Sequence, residues 1–565
     1  MHRPTKFLAL SVLLVSMPQC VIEGGPGGQG SGSGGGAPQV GKRAMVLIGG
    51  GTQVCTSAAP DACTGAPVFT QQTSLPLKTQ ELFRMTSEVV AILGERERPE
   101  ISPAIAAKLS DIPQSKDYTY DAFLDAIEAA GISLTTDLPA GSVARAVVLG
   151  YATLPQEEVV ALDHSSTPET RAMFEKFIDL AGGAGVARIG LITSSSEDAK
   201  DSYLFYAQVM KQAGAAEVVW IPVDLGYRKS VDQSGCERLV QNIEEAYQLY
   251  GSELRYPELT TQHLAACQDP RSVLDAMSGL TGFFFGGGDQ AKHKGSLISG
   301  GGDTPEMAAI RARIEGGKAV LGGTSAGTAV ECGPPMIAGG ETYDALVGGA
   351  HPTPCAACKE EDLIFDAAGG LGLFSYGTLD SHFSQRGRQG RLIRLASDTG
   401  TKRAFGVDEN TALVVTDPDT PEARLEVIGQ HGVTVLDLTS AAPSTDSSGR
   451  WKISGVLASY LRQGDHYNPE THEVTFAPDK RDLAGKEAHM TPLPPSTDIF
   501  GEFVSVTQDL CDSAAASTYG ETLETSPVTY TVSFEKGAMT RCFDGPGQSD
   551  VVFDKLSISV SVEAL

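Results

Sequence analysis

The 565-residue sequence has no internal repeat and no metal-ligand pattern of the HExxH kind. After its first twenty residues it has no apolar run long enough to cross a bilayer. Basic residues are scarce: 43 Lys and Arg stand against 70 Asp and Glu, a formal net charge of −27. That balance excludes a sequence-independent nucleic-acid binder, which needs a basic surface to displace counterions from phosphates. Charged residues are only 20% and hydrophobic residues 41%, a globular composition. The length exceeds the roughly 250–300 residues at which one core stops growing, so a main domain with additions is expected. Glycine, in contrast, is plentiful at 64 residues, too many for an all-helical protein. Between Gly24 and Gly36, 9 of 13 residues are Gly, which reads as a linker.

Ahead of the linker, Arg3 and Lys6 precede an apolar run from Phe7 to Ser16, too short to span a bilayer of about 30 Å. Residues 1–20 therefore read as a secretory signal and 21–43 as a tether. Removing the signal leaves 41 bases and 70 acids, or −29. Cys20 sits where bacterial lipoproteins carry their acylated first residue, so a lipid anchor at Cys20 and plain secretion with an unpaired Cys20 are both open. Either places the protein outside the cytoplasm, as a secreted or cell-surface protein. The other cysteines suit an oxidising compartment. Sequence proximity pairs Cys55 with Cys63, Cys236 with Cys267, Cys355 with Cys358 and Cys511 with Cys542. Cys332 is left over and reads as an inert core thiol. Cys355-x-x-Cys358 suits a tight structural disulfide better than a redox motif or half of a zinc site, since no second CxxC or His pair accompanies it.

From Ala44 onward short apolar strands alternate with helical stretches. Expected strands are Ala44–Ile48, Ala187–Thr193, Glu217–Val223, Leu280–Phe285 and Lys318–Leu321, with a helix around Asp201–Gln212. This rhythm implies an α/β fold with a parallel sheet covered by helices on both faces, and ligands beyond the carboxyl ends of its strands. Residues 52 to about 155 interrupt it, with one convincing amphipathic helix, Tyr120–Ala130, and read as an insertion near the active-site rim. A catalytic domain is expected over 44–438, followed by a β-rich extension over 439–565 whose last part looks like a small appendage.

Gly323-Thr324-Ser325-Ala326-Gly327 follows a strand and precedes small residues. A serine on such a turn projects its hydroxyl into a cleft, although a tight structural turn would look the same. Gly286-Gly287-Gly288-Asp289-Gln290 closes another strand, and N–H groups at Gly288 and Asp289 could join that of Ala326 in an oxyanion hole. An ordinary glycine turn is the alternative; a phosphate loop lacks its GxGxxG or Walker lysine. His382, after the expected strand Tyr376–Leu379, is the best-placed general base. Arg386, Arg388 and Arg391 crowd the segment behind it, either as a solvated helix face or as donors for a substrate carboxylate. Asp408 and Glu409 end a later strand, and one of them could orient the imidazole.

Five segments, LIGGG at 47–51, FGGGDQ at 285–290, GGTSAG at 322–327, DSHFSQRGRQGRL at 380–392 and GVDENTA at 406–412, resemble in order and context the cyanophycinases, serine exopeptidases related to the aspartyl dipeptidases. The resemblance covers about residues 44–52 and 160–438. It implies a flavodoxin-like fold of the class I glutamine-amidotransferase type, with Ser325 as nucleophile, His382 as base and Glu409 as its orienting acid. It further implies that Gln290, Asp380, Ser381, Arg386, Arg388 and Arg391 line the pocket for a β-linked aspartyl substrate. The family cuts cyanophycin, a polyaspartate with arginine on each β-carboxyl, to β-aspartyl-arginine dipeptides through an acyl-enzyme, with no metal or cofactor. The order Ser325, His382, Glu409, at intervals of 57 and 27 residues, differs from that of the α/β-hydrolases. Ser381 stands where the family has Gln. Alternatives are an aspartyl or β-aspartyl dipeptidase of the same fold and an inactive surface-tethered binding protein. An amidotransferase glutaminase would need Cys at position 325. A homodimer is also compatible with the resemblance.

Overall fold

The computed structural model describes residues 43–95, 100–545 and 550–562. The expected secretory signal, Cys20 and the expected glycine-rich tether lie outside the described residues. Among those described, no helix is long and apolar enough to cross a membrane.

A nine-stranded sheet forms the centre. Five of its strands are parallel, in the spatial order Ala44–Ile48, Val320–Thr324, Gly282–Phe285, Arg188–Ile192 and Glu217–Trp220. Residues of Ala44–Ile48 are buried on both sides, as its unbroken apolar sequence requires. Met45 and Leu47 enter a cluster with Met277, Ile310 and Ile314, while Val46 and Ile48 enter a second one with Met173, Phe174 and Met210. Each such side chain contributes about 1.5–3 kcal/mol by leaving water, so a one-residue slip in this strand would exchange the contents of two cores.

The rest of the sheet corrects the expectation of an all-parallel arrangement. Beyond Ala44–Ile48 come Thr411–Thr416, Arg424–Gly429, His466–Asn468 and Glu473–Thr475, each antiparallel to its neighbour. Two of these pairs, Thr411–Thr416 with Arg424–Gly429 and His466–Asn468 with Glu473–Thr475, are joined by short connections, which suit antiparallel strands because a parallel pair needs a longer crossover.

A second sheet begins with Thr378–Ser381, parallel to Arg403–Val407, and continues antiparallel through Gly432–Asp437, Trp451–Arg462, Val552–Ser561, Thr531–Glu535 and Ser517–Glu521. Residues after Leu438 thus extend the sheet that bears the His382 strand: Gly432 lies opposite Arg462, and Val433 opposite Leu461. The expected small appendage has no sheet of its own, since the long apolar strand Trp451–Arg462 buries itself between two neighbours.

The segment after the first strand holds four helices where one was expected: Ser87–Glu95, Pro103–Leu109, Tyr120–Ala129 and Val143–Ala152. The second and fourth are capped by Ser102 and Ser142, whose hydroxyls accept the N–H groups of Ile105 and Arg145. They enclose a core of their own around Phe83, Phe123, Ile127, Val148 and Tyr151. Arg255 donates to the Gly150 carbonyl at 2.8 Å and Tyr151 to the Glu244 carboxylate at 2.8 Å, which fastens the four helices to the main body. All four expected cysteine pairs are bonded, and Cys332 is free and buried.

Candidate active site

The strand Val320–Thr324 turns at Ser325 into a short helix, Ala326–Ala329. Ser325 has φ +54° and ψ −114°, a backbone region that costs an L-residue on the order of 1–3 kcal/mol and persists only where its surroundings enforce it. At Gly323 the chain folds back so closely that a Cβ would lie 2.1 Å from the Gly327 carbonyl oxygen. This is the physical reason for small residues around the serine.

Ser325, His382 and Glu409 meet in one hydrogen-bonded chain. Ser325 Oγ lies 2.7 Å from His382 Nε2, and His382 Nδ1 lies 2.6 Å from Glu409 Oε1. The imidazole is buried, with the serine and the glutamate half-buried. Burial lowers the His382 pKa below the ordinary imidazole value; Glu409 opposes this and the Arg386 charge adds to it. A neutral imidazole between a hydroxyl and a carboxylate can take the serine proton and be stabilised once charged. Asp408, the other acid considered, faces away: buried, it accepts from Ser384 N, Gly432 N and Tyr460 Oη. Two further buried histidines, His263 and His293, are pushed by burial down to about 4 and stay neutral in the core.

What aligns the three groups is the end of the first strand. Three consecutive carbonyls, of Ile48, Gly49 and Gly50, accept the N–H groups of Ser325 (2.9 Å), His382 (2.7 Å) and Asn410 (2.8 Å). Gln385 Oε1 accepts the Glu409 N–H at 2.9 Å. The positioning roles of residues 48–50 and of Gln385 are not visible in the sequence alone. The LIGGG motif was visible, but only its proximity to two distant segments gives it a function.

The expected oxyanion donors fare unequally. Ala326 opens a helix, where N–H groups lack intrahelical acceptors. Gly287 lies against Ser325, and Gly288 follows it, exposed. Asp289 is a correction: its N–H is spent on the Ser195 carbonyl at 3.0 Å, and its carboxylate caps the helix Gln290–Leu297 by accepting from Ala291 N. Gln290 directs its amide NH2 to the Ile337 carbonyl at 2.8 Å.

The arginine cluster is corrected in the same way. Arg391 is 5% exposed and forks onto Asp380, itself 2% exposed, through Nε at 2.9 Å and Nη2 at 2.8 Å, with Nη1 on the Gly340 carbonyl. Burial alone would raise the Asp380 carboxyl, but Arg391 and Arg388 outweigh it and hold it below the ordinary range. Neither member of this pair is free to bind a substrate. Arg388 is largely buried, donates to the Ser381 carbonyl at 2.8 Å, and is pulled by burial down to about 10. Its Nε has no partner. Arg386 is exposed beside His382, with no ion pair among the described residues. The Ser381 side chain is buried behind the site. Of the three guanidiniums only Arg386, and in part Arg388, can meet a ligand carboxylate.

A Ser–His–Glu chain at the carboxyl ends of parallel strands in a mixed α/β fold is an arrangement able to carry out acyl transfer to water, and the chain is similar over part of its length to known cyanophycinases. The cyanophycinase of Geminocystis herdmanii is 35% identical over 199 residues, covering 34% of this chain and 64% of that protein. That of Trichormus variabilis is 38% identical over 216 residues, covering 36% and 64%, and that of Thermosynechococcus vestitus 32% over 212 residues, covering 36% and 58%. Over the matched region the chain is similar to these cyanophycinases. It spans less than two thirds of the length of these curated relatives. No family model matches. The crystal structure of a peptidase from an acI-B1 Actinobacterium is similar over 47% of this chain and 85% of that one at 16% identity, with a TM-score of 0.30, too low to bear on the fold.

Proposed function

We propose that this protein is an exported serine exopeptidase that hydrolyses cyanophycin to β-aspartyl-arginine dipeptides. The observation that carries the reading is the Ser325–His382–Glu409 chain, with links of 2.7 and 2.6 Å, in a protein related to cyanophycinases. Ser325 Oγ attacks the scissile carbonyl as His382 Nε2 takes its proton, and Glu409 stabilises the imidazolium. N–H groups of Ala326 and Gly288 receive the oxyanion. His382 then protonates the leaving amine, and water, deprotonated by the same imidazole, releases the acyl group. Arg386 faces the substrate carboxylate, with Arg388 behind it. No step needs a metal or cofactor. The N-terminal segment supports export, with or without acylation at Cys20.

The test is incubation of purified protein with insoluble cyanophycin, with chromatographic detection of β-aspartyl-arginine. Ser325→Ala is expected to lower turnover by about 10⁴-fold or more. An unchanged rate would overturn the nucleophile. Release of dipeptide from short aspartyl peptides only, with the polymer intact, would move the protein to the β-aspartyl dipeptidases.

A further inference from the structure

Away from the catalytic chain, a short strand and the loop that follows it bring together His351, Cys355 and Cys358. Their ligand atoms all lie within 4.8 Å of one another, and all three residues are half-buried. No other set of three converging ligand side chains occurs among the described residues. His351 is fixed by its backbone: it lies in Ala350–Pro352, which pairs in parallel with Leu363–Asp366, His351 opposite Ile364. Thr353 N donates to the Phe365 carbonyl at 2.8 Å and so anchors the start of the loop. The His351 imidazole has no hydrogen-bond partner among the described residues. The sequence offered a CxxC pair with no companion ligand, and the fold supplies one.

We propose that this strand and loop form a redox-gated zinc site: closed as the Cys355–Cys358 disulfide, and a three-ligand Zn²⁺ site through His351, Cys355 and Cys358 once that pair is reduced. Zn–S bonds of about 2.3 Å and Zn–N bonds of about 2.0–2.1 Å put tetrahedral ligands roughly 3.5–3.8 Å apart. The present 4.8 Å envelope lies close to that spacing, and the Cys355 and Cys358 Cα atoms stand 5.4 Å apart. Thiolate and imidazole donors select Zn²⁺ over Mg²⁺ or Ca²⁺, and water fills the fourth position. The gate balances: a dithiol reductant supplies two electrons and two protons, the S–S bond breaks to two thiols, and the reductant leaves as its own disulfide. Binding of Zn²⁺ then releases the two thiol protons, so affinity rises with pH.

The experiment uses the full chain under mild dithiol reduction, with the opened cysteines identified by alkylation and mass spectrometry, and Co²⁺ as the optical probe. The expected result is one Co²⁺ per chain with a thiolate charge-transfer band, displaced by Zn²⁺ and absent before reduction. The double variant Cys355→Ser/Cys358→Ser, reduced in parallel, keeps every other thiol and should lose the band. His351→Ala should weaken binding tenfold or more. A band of equal strength in the double variant, no band in the reduced protein, or unchanged affinity in His351→Ala would each overturn the site.

Discussion

A methyl group on residue 50 would stand 2.4 Å from both Cε1 and Nε2 of His382 and 3.0 Å from Ser325 Cβ, on a backbone with φ +91°. No rotamer relieves such a contact, because the Cβ position is fixed by the main chain. Gly50→Ala is therefore expected to push the imidazole off Ser325 and to lower kcat by at least about 10²-fold, the order that misplacement near the reacting atoms costs. Near-ultraviolet circular dichroism should stay close to that of the parent, and a variant of near-parental kcat would contradict the packing. A second residue-scale expectation concerns proton affinity. The base must be neutral to work, so activity falls as pH drops through the His382 pKa. Since burial, with Arg386 adding to it, lowers that value, the acid limb of kcat/KM should have its midpoint below the ordinary imidazole value of about 6.5. Arg386→Ala removes the repelling charge and should shift the limb toward higher pH while raising KM. A limb that does not move, or moves down, would remove Arg386 from the surroundings of the base.

At the scale of elements, the helix Gln389–Thr399 and the 3₁₀ turn Ser384–Arg386 before it divide three arginines between two tasks. Composition and spacing marked the cluster, but spacing alone cannot say which guanidinium points inward. That is decided by Asp380, which sits on a strand of the second sheet beside the helix and offers a bidentate acceptor in the interior. Asp380→Asn leaves the Arg391 charge buried without its counter-ion and should cost about 3–5 kcal/mol of stability, read by denaturant unfolding. Because the Asp380 pKa is depressed in the folded state, its contribution is present above the unfolded value of about 3.9 and is lost as pH falls, so the deficit should shrink on acidification. Arg386→Ala, at an exposed position, should change stability by no more than about 0.5 kcal/mol. Equal destabilisation by both variants would refute the division. The buried strand Ala44–Ile48 is legible to the residue from its apolar run, whereas the strand expected over Lys318–Leu321 runs from Val320 to Thr324, because the glycines after its apolar run continue the pairing. The helices of the insertion are not legible in this way: only Tyr120–Ala129 has a clear periodic face among short, alanine-rich or capped turns, and tertiary contact with Tyr250 and Arg255 settles the others.

Across the whole molecule, the parts of the site come from segments more than three hundred residues apart, and what joins them is the central strand. Local motifs could name Ser325, His382 and Glu409, but the carbonyls of residues 48–50 that align them become visible only when Ala44–Ile48 lies between Val320–Thr324 and Thr411–Thr416. The same separation hid the role of the C-terminal residues, whose long strand Trp451–Arg462 braces the sheet holding His382. Charge is likewise a property of the whole chain. Of 43 basic and 70 acidic residues, Arg386 is a cation at the cleft with no ion pair among the described residues, on a surface of net charge −27. Each arginyl-aspartate unit of the proposed polymer carries one guanidinium and one carboxylate and is neutral overall, so the protein's field exerts no net pull on it. Attraction must come from local pairing: the carboxylate with Arg386, and the guanidiniums with surrounding acids. Such pairs act within a Debye length, about 10 Å at 0.1 M salt and about 3 Å at 1 M. Raising the salt from about 0.05 to 0.5 M should therefore raise KM for the polymer severalfold and leave kcat nearly unchanged, while a small uncharged ester, which uses only the Ser325 chain, keeps both constants. A polymer KM that ignores ionic strength would mean that shape and hydrogen bonds, not charge, hold the substrate, and that the acidic surface serves the protein's solubility alone.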